Sequence, residues 1–169
     1  MNTKLTRVFE GEISTKGRRF AIVASQFNRT ITQRLLDGAL ECLKKHGCDV
    51  VNNVDIFYCP GAFEIPQVVS RITLSIRYAA VICLGAVIRG ETPHFDYIAA
   101  ESARGIGSVA RERSIPVLFG VLTTNTYDQA LERSGGSVGN KGWDAALAAI
   151  TMADLYAQIP FSDEREKNA

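Results

Sequence analysis

The segment "GAVIRGETPHFDYIAAE", residues 85–101, gathers residue types that can do chemistry: His94, one of only two histidines, stands beside Arg89, Glu91 and Thr92. Gly90, Glu91 and Thr92 precede a helix predicted to start near residues 93–95, where Pro93 suits a first turn. Backbone N–H groups without partners at a helix start favour an anion, and Thr92 adds a hydroxyl, so a phosphate fits there. His94, one short reach away, could move protons near neutral pH. The Glu91 carboxylate suits such a site only if its side chain turns away and its N–H alone is used. The second histidine, His46 in "LKKHG", ends a helical pattern, where a cation is simply favourable.

Four apolar runs define the elements that must position these residues: 19–25, 54–59, 79–88 and 116–122. They are mostly continuous rather than alternating, as in strands covered on both faces. Helical patterns lie between and after them: 30–46, 62–77, 95–113, the short "TYDQALERS", and about 142–158. In the first of these, Thr30 and Gln33 have capping-box spacing and Gly47 marks a stop. Trp143, Ala146, Leu147 and Ile150 form the inner face of the last. Residues 8–13 suggest one short additional edge strand. Strand and helix in alternation predict an α/β fold, a parallel sheet with helices on both faces.

Ligands of such sheets bind beyond the carboxyl ends of the strands, which selects the loops at 25–29, 59–64, 85–94 and 123–126. Phe27 and Asn28 in the first could stack on a planar ligand and pair with its polar edge, or serve as a core lid and a helix cap. Glu64 in the second could accept hydrogen bonds from ligand hydroxyls, or complement a helix dipole. Arg133 ends the helix after the fourth strand. About eight helical residues carry the chain ~12 Å back from the loop edge. If Arg133 and His94 serve one site, a neighbouring subunit supplies one of them.

Bulk properties narrow the classes. A chain of 169 residues is the size of one domain, and it is 46% hydrophobic, 22% charged, with net charge +1 and no basic block. Nucleic-acid binding through a basic face is unsupported. No apolar run approaches the ~20 residues of a membrane helix. "MNTKLTRVFEGEIS" carries no apolar signal core, so a cytoplasmic location is expected. Cys42, Cys48, Cys59 and Cys83 are widely spaced without a C-x-x-C pair, and read as ordinary thiols rather than metal ligands. "GIGSVA" (105–110) imitates a dinucleotide fingerprint but lies inside a helical pattern and follows no strand. Gly105 and Gly107 there fit close helix packing. No P-loop, no G-x-S-x-G elbow and no receiver-type acidic cluster is present.

In order and spacing, "FN", "PGAFEIP", "GAVIRGETPHFDY", "FGVLTT" and "ALERSGGSVGNKG" closely resemble the lumazine synthase family over residues 18–156. The resemblance implies a flavodoxin-like three-layer αβα sandwich with a four-stranded parallel sheet and a short N-terminal edge strand. The division of the chain would be an arm at 1–17, a catalytic domain at 18–158 and a frayed tail at 159–169. It implies a transferase of riboflavin biosynthesis, condensing 5-amino-6-(D-ribitylamino)uracil with 3,4-dihydroxy-2-butanone 4-phosphate. The product would be 6,7-dimethyl-8-ribityllumazine, with phosphate and water released and no metal or organic cofactor.

Residue by residue, the resemblance makes Phe27 the aromatic that stacks on the pyrimidine, with Asn28 beside it. Ala62, Phe63 and Glu64 would hold the ribityl chain and ring, and Ala86, Val87 and Ile88 would read the uracil edge. Glu91 and Thr92 would cradle the phosphate, and His94 would transfer protons. Phe119, Arg133 and Lys141 would come from the adjacent subunit, Arg133 clamping the phosphate. Gln26 stands where the family often has arginine, and Ser137 and Val138 where lysine and alanine are more usual.

The partners so implied are two small-molecule substrates, further copies of the chain and riboflavin synthase, with neither nucleic acid nor membrane. Family members form pentamers, and some build a shell of twelve. The short Gly-rich turn before the last helix and an arm without proline resemble the shell formers. The alternatives are a non-catalytic lumazine- or flavin-binding or shell-forming relative, which would lose His94 or Arg133, and an unrelated flavodoxin-like binding domain, which would not need Arg133 and Lys141 near a neighbour's loop.

Overall fold

The computed structural model describes residues 6–75 and 77–159. The first strand, β1 (Phe20–Ser25), is followed by helix α1 (Arg29–Lys45) and a single helical turn, α2 (Val50–Asn53). Strand β2 (Val54–Cys59) leads through a tight 3₁₀ turn (Ala62–Glu64) into α3 (Ile65–Ile72). Then come β3 (Ala80–Ile88), α4 (His94–Glu112), β4 (Val117–Thr124) and α5 (Tyr127–Arg133). A small antiparallel hairpin, β5 (Ser134–Gly136) and β6 (Gly139–Asn140), precedes the last helix, α6 (Lys141–Gln158).

The main sheet has the order β2-β1-β3-β4 and is parallel throughout. All six residues of β1 are buried and β3 is buried almost to its end, because helices cover both faces. Phe20, Ile22, Ile82 and Leu84 pack with Leu35 and Leu43 of α1 and Ala146 and Ile150 of α6. Ala21, Val23, Val81 and Cys83 pack with Ile65 and Val69 of α3 and Ile106 of α4. The layers and the four-stranded parallel sheet are those expected from the sequence. Neither helix packing tolerates extra atoms. A Cβ at Gly142 would lie 1.9 Å from the Leu35 carbonyl oxygen, and one at Gly105 2.6 Å from Pro66. Gly107 makes no such approach; the nearest atom to its added Cβ is Arg111 Nη1 at 3.4 Å.

Helix ends show local chemistry. Gly47 adopts φ 90°, and the N–H groups of Gly47 and Cys48 close on the carbonyls of Lys44 and Leu43 at 3.0 Å, ending α1 as its sequence predicts. The predicted Thr30–Gln33 capping box does not form. Asn28 is the N-cap, α1 begins at Arg29, and Gln33 donates to Asp37 at 2.8 Å instead. The third helix is shorter than its 62–77 pattern. The Thr73 hydroxyl donates to the carbonyls of Val69 and Ser70, and the chain turns off at Ile72.

The expected N-terminal edge strand is not formed: residues 8–13 pair with no strand. They lie along α6, where the Glu12 N–H donates to Asp154 at 2.9 Å and the Gln158 amide donates to the Glu10 carbonyl at 2.8 Å. A strand needs free backbone donors and acceptors opposite it, and those inside a helix are already spent. The C-terminal tail at 160–169 lies outside the described residues.

Candidate functional site

The β1–α1 loop is tied to the end of β3. Asn28 is the only non-glycine residue with positive φ among those described, at φ 55° and ψ 45°. Asparagine tolerates this left-handed conformation better than most residues. Its side-chain amide donates at 2.9 Å to the Ala86 carbonyl. One N–H of the amide is therefore used within the protein, and the side chain does not cap α1. Beside it, Phe27 is 68% exposed, which rejects the reading of a lid over the core.

Phe27 lies on the rim of a cleft of about 810 Å³ beyond the carboxyl ends of β1, β2 and β3. Ala62, Phe63 and Glu64 line one wall, and Ala86, Val87 and Ile88 line the floor. Gly90, Thr92 and His94 complete it from the start of α4. Glu64 forms no side-chain cap, and its Oε2 lies where a Cβ on Gly61 would come within 3.0 Å. Its carboxylate has no hydrogen-bond donor among the described residues, so it can accept from hydroxyl groups entering the cleft. The His94 ring is exposed and equally uncommitted among those residues, with both nitrogens available. Pro93 caps α4 without a side-chain hydrogen bond; its carbonyl takes the Asp96 N–H at 3.0 Å, and the His94 and Phe95 N–H groups have no partner among the described residues. Glu91 is exposed and is not among the residues lining the cleft.

Phe119, Arg133 and Lys141 are not in this cleft. They line a second groove of about 430 Å³ along β4, with Thr123 and Asp144, and the two depressions share no residue. The hairpin β5–β6 and the short α5 place Arg133 next to Lys141 at the start of α6. Arg133 donates to the Gln129 carbonyl at 3.1 Å, and Lys141 pairs with Asp144 at 2.8 Å. Phe119 is 47% exposed.

Three lining residues were missed in the sequence: Phe95, Tyr97 and Ile98. Tyr97 and Ile98 lie three and four positions after His94, on the same helix face, and that spacing was the available signal. The cysteines are buried and free. Burial pushes the Cys42 and Cys59 thiols up to about 11, and Cys83 higher still. They are protonated at neutral pH and are not poised nucleophiles. His46 accordingly belongs to the end of α1, its Nδ1 2.7 Å from the Cys42 carbonyl. Among the described residues no group of histidine, cysteine and carboxylate side chains could hold a metal, and no helix is long and apolar enough to cross a membrane.

A parallel αβα sandwich with an aromatic-rimmed cleft at its strand ends, an open helix start and a free imidazole defines an α/β enzyme acting on small molecules. The model of the 6,7-dimethyl-8-ribityllumazine synthase family matches residues 17–157. A protein named 6,7-dimethyl-8-ribityllumazine synthase from Clostridium kluyveri is 51% identical over 153 residues, covering 90% of this chain and 99% of its own. One of the same name from Chlorobium phaeobacteroides is 54% identical over 150 residues, covering 89% and 96%. The chain belongs to the 6,7-dimethyl-8-ribityllumazine synthase family, transferases of riboflavin biosynthesis.

Proposed function

We propose that this chain performs the family's condensation at sites shared between adjacent copies. The reaction joins 5-amino-6-(D-ribitylamino)uracil to 3,4-dihydroxy-2-butanone 4-phosphate, giving 6,7-dimethyl-8-ribityllumazine, phosphate and water. The observation that carries the shared site is the division of the candidate residues between two separate depressions. One subunit would bring Phe27, Ala62–Glu64, the Ala86–Ile88 backbone, Glu91 through its N–H, Thr92 and His94. Its neighbour would bring Phe119, Arg133 and Lys141.

In this reading Phe27 stacks on the pyrimidine and the β3 end pairs with the uracil edge. Asn28 gives one amide N–H to Ala86 and keeps its Oδ1 to pair with the ligand's polar edge. Glu64 accepts from ribityl hydroxyls. The phosphate sits on the α4 start and the Thr92 hydroxyl, and the neighbour's Arg133 forks onto two of its oxygens. The pyrimidine's primary amine attacks the ketone and water leaves to form an imine. Phosphate is then eliminated. Loss of a C3 proton with the phosphate leaves an enol at the C3 hydroxyl, which tautomerises to a ketone, and the ribitylamino nitrogen closes the ring on that ketone with loss of water. Each step moves protons, and His94 is the group placed to take and return them. Holding both substrates in register supplies much of the remaining acceleration.

Arm 1–17 would serve assembly of the domain at 18–158. Val8 and Ile13 are exposed apolar residues on it, and an arm without proline has backbone donors for a neighbour's sheet besides the Glu12 N–H that Asp154 takes. The expected assembly is a pentamer, and twelve pentamers in a shell. A purified species of ten subunits or fewer excludes the shell. Mixing the two substrates with purified protein tests the activity: the lumazine chromophore appears if the reading holds. Its absence with intact substrate binding would favour the non-catalytic alternative.

A further inference from the structure

Arg89 lies outside both depressions, yet all three nitrogens of its guanidinium are engaged. Nη2 and Nη1 reach Oδ1 and Oδ2 of Asp96 at 3.0 and 3.4 Å, and Nε donates to Asn125 Oδ1 at 3.1 Å. The guanidinium carbon sits 4.2 Å from the centre of the Phe95 ring, which lines the cleft. The Arg89 backbone N–H donates to the Thr124 carbonyl at 2.9 Å, so the residue is anchored on the sheet as well.

Asp96 is the acidic residue in the first turn of α4. A carboxylate there suits the helix dipole, but it opposes any second anion bound at the same helix start. The near-bidentate Arg89 fork offsets that charge. Its engagement with Asp96 and Asn125 also keeps Arg89 itself from turning into the cleft.

We propose that Arg89 is a positioning residue for phosphate-substrate recognition: by neutralising Asp96 it leaves the α4 N-terminus free to hold an anion that Arg89 does not touch. This rests on the reading of that helix start as the phosphate site. Both side chains are about half exposed, so neither is needed for the core.

The test is steady-state kinetics at low salt on Arg89→Met, Asp96→Asn, the double variant and Arg89→Lys, with inhibition by inorganic phosphate measured in parallel. Arg89→Met is expected to raise the KM for the butanone phosphate and the phosphate inhibition constant about three- to tenfold, the effect of one poorly screened charge nearby. The pyrimidine KM should hardly change. Asp96→Asn alone should weaken neither phosphate constant, the double variant should return close to the parent, and Arg89→Lys should retain most of the function. The proposal is overturned if Arg89→Met changes neither constant, if Asp96→Asn alone reproduces its defect, or if the double variant keeps it. Arg133→Ala separates the two levels. If it too leaves both constants unchanged, the phosphate site itself has been misread; if only Arg133→Ala raises them, the Arg89 inference alone fails.

Discussion

Asn28 and Ala86 are joined by a 2.9 Å hydrogen bond from the side-chain amide of one to the carbonyl oxygen of the other. The bond links the loop after β1 to the end of β3, although 58 residues separate the two in sequence. It fixes the aromatic Phe27 relative to the strand end proposed to read the uracil. The left-handed backbone of Asn28 is strained for most side chains, and the bond helps hold it.

Asn28→Ala should therefore lose stability twice, once through the missing bond and once through an alanine held at positive φ. A loss of about 1–3 kcal/mol is expected. Asn28→Gly should lose less, since glycine accepts that backbone freely. Chemical denaturation at one fixed protein concentration measures both. Equal losses would show that the backbone conformation costs nothing.

His94→Ala should reduce kcat by about 10²–10⁴-fold, the usual contribution of a positioned general acid or base. Binding of a non-reacting pyrimidine analogue should persist, because the stacking and backbone contacts remain. An unchanged kcat would remove His94 from the chemistry.

Arg133→Ala should raise the KM for the butanone phosphate, with about 2–4 kcal/mol lost from its binding. Since His94 and Arg133 line separate depressions, subunits carrying the two different substitutions should complement one another. In a randomly mixed oligomer about a quarter of the interfaces pair an intact cleft with an intact groove, and activity should recover to about that fraction. Mixed assemblies as inactive as the separate variants would place the whole site within one subunit.

The docking of the arm on α6 should weaken in acid. The Glu12 backbone N–H, the Arg18 guanidinium and the Gln158 amide hold the Asp154 carboxyl down to about 2. A free aspartate titrates near about 4. The folded value lies below the unfolded one, so this contribution is complete above pH ~4 and is lost as the pH falls towards ~2. Amide exchange at residues 10–18 should quicken across that window. In Asp154→Asn those amides should already exchange faster at neutral pH and show no added transition. A wild-type arm equally protected at pH 2 and pH 7 would contradict this.

The sheet's strands and most helix spans were legible because buried parallel strands and amphipathic helices leave continuous and periodic apolar patterns. Gly47 announced the end of α1 because a left-handed turn there needs glycine. The residue types at the cleft were legible too, since the carboxyl ends of strands are where such folds bind ligands. What the pattern misjudged depended on competing partners. The arm looked like a strand, but in the folded chain its polar backbone is met by side chains of α6. The apparent capping box at Thr30 failed because the Asn28 backbone had already set the start of α1.

The amino-acid sequence by itself determined the layers, the strand ends and the placing of His94, rather than His46, at a strand-end loop, because these follow from local pattern and position along the chain. Only the tertiary structure decided that Asn28 donates to the Ala86 carbonyl, that Glu91 stands outside the cleft lining, and that Arg133 and Lys141 line a different depression from His94. Those outcomes depend on which groups meet across the fold, and spacing along a chain does not encode which of several available partners a polar side chain takes.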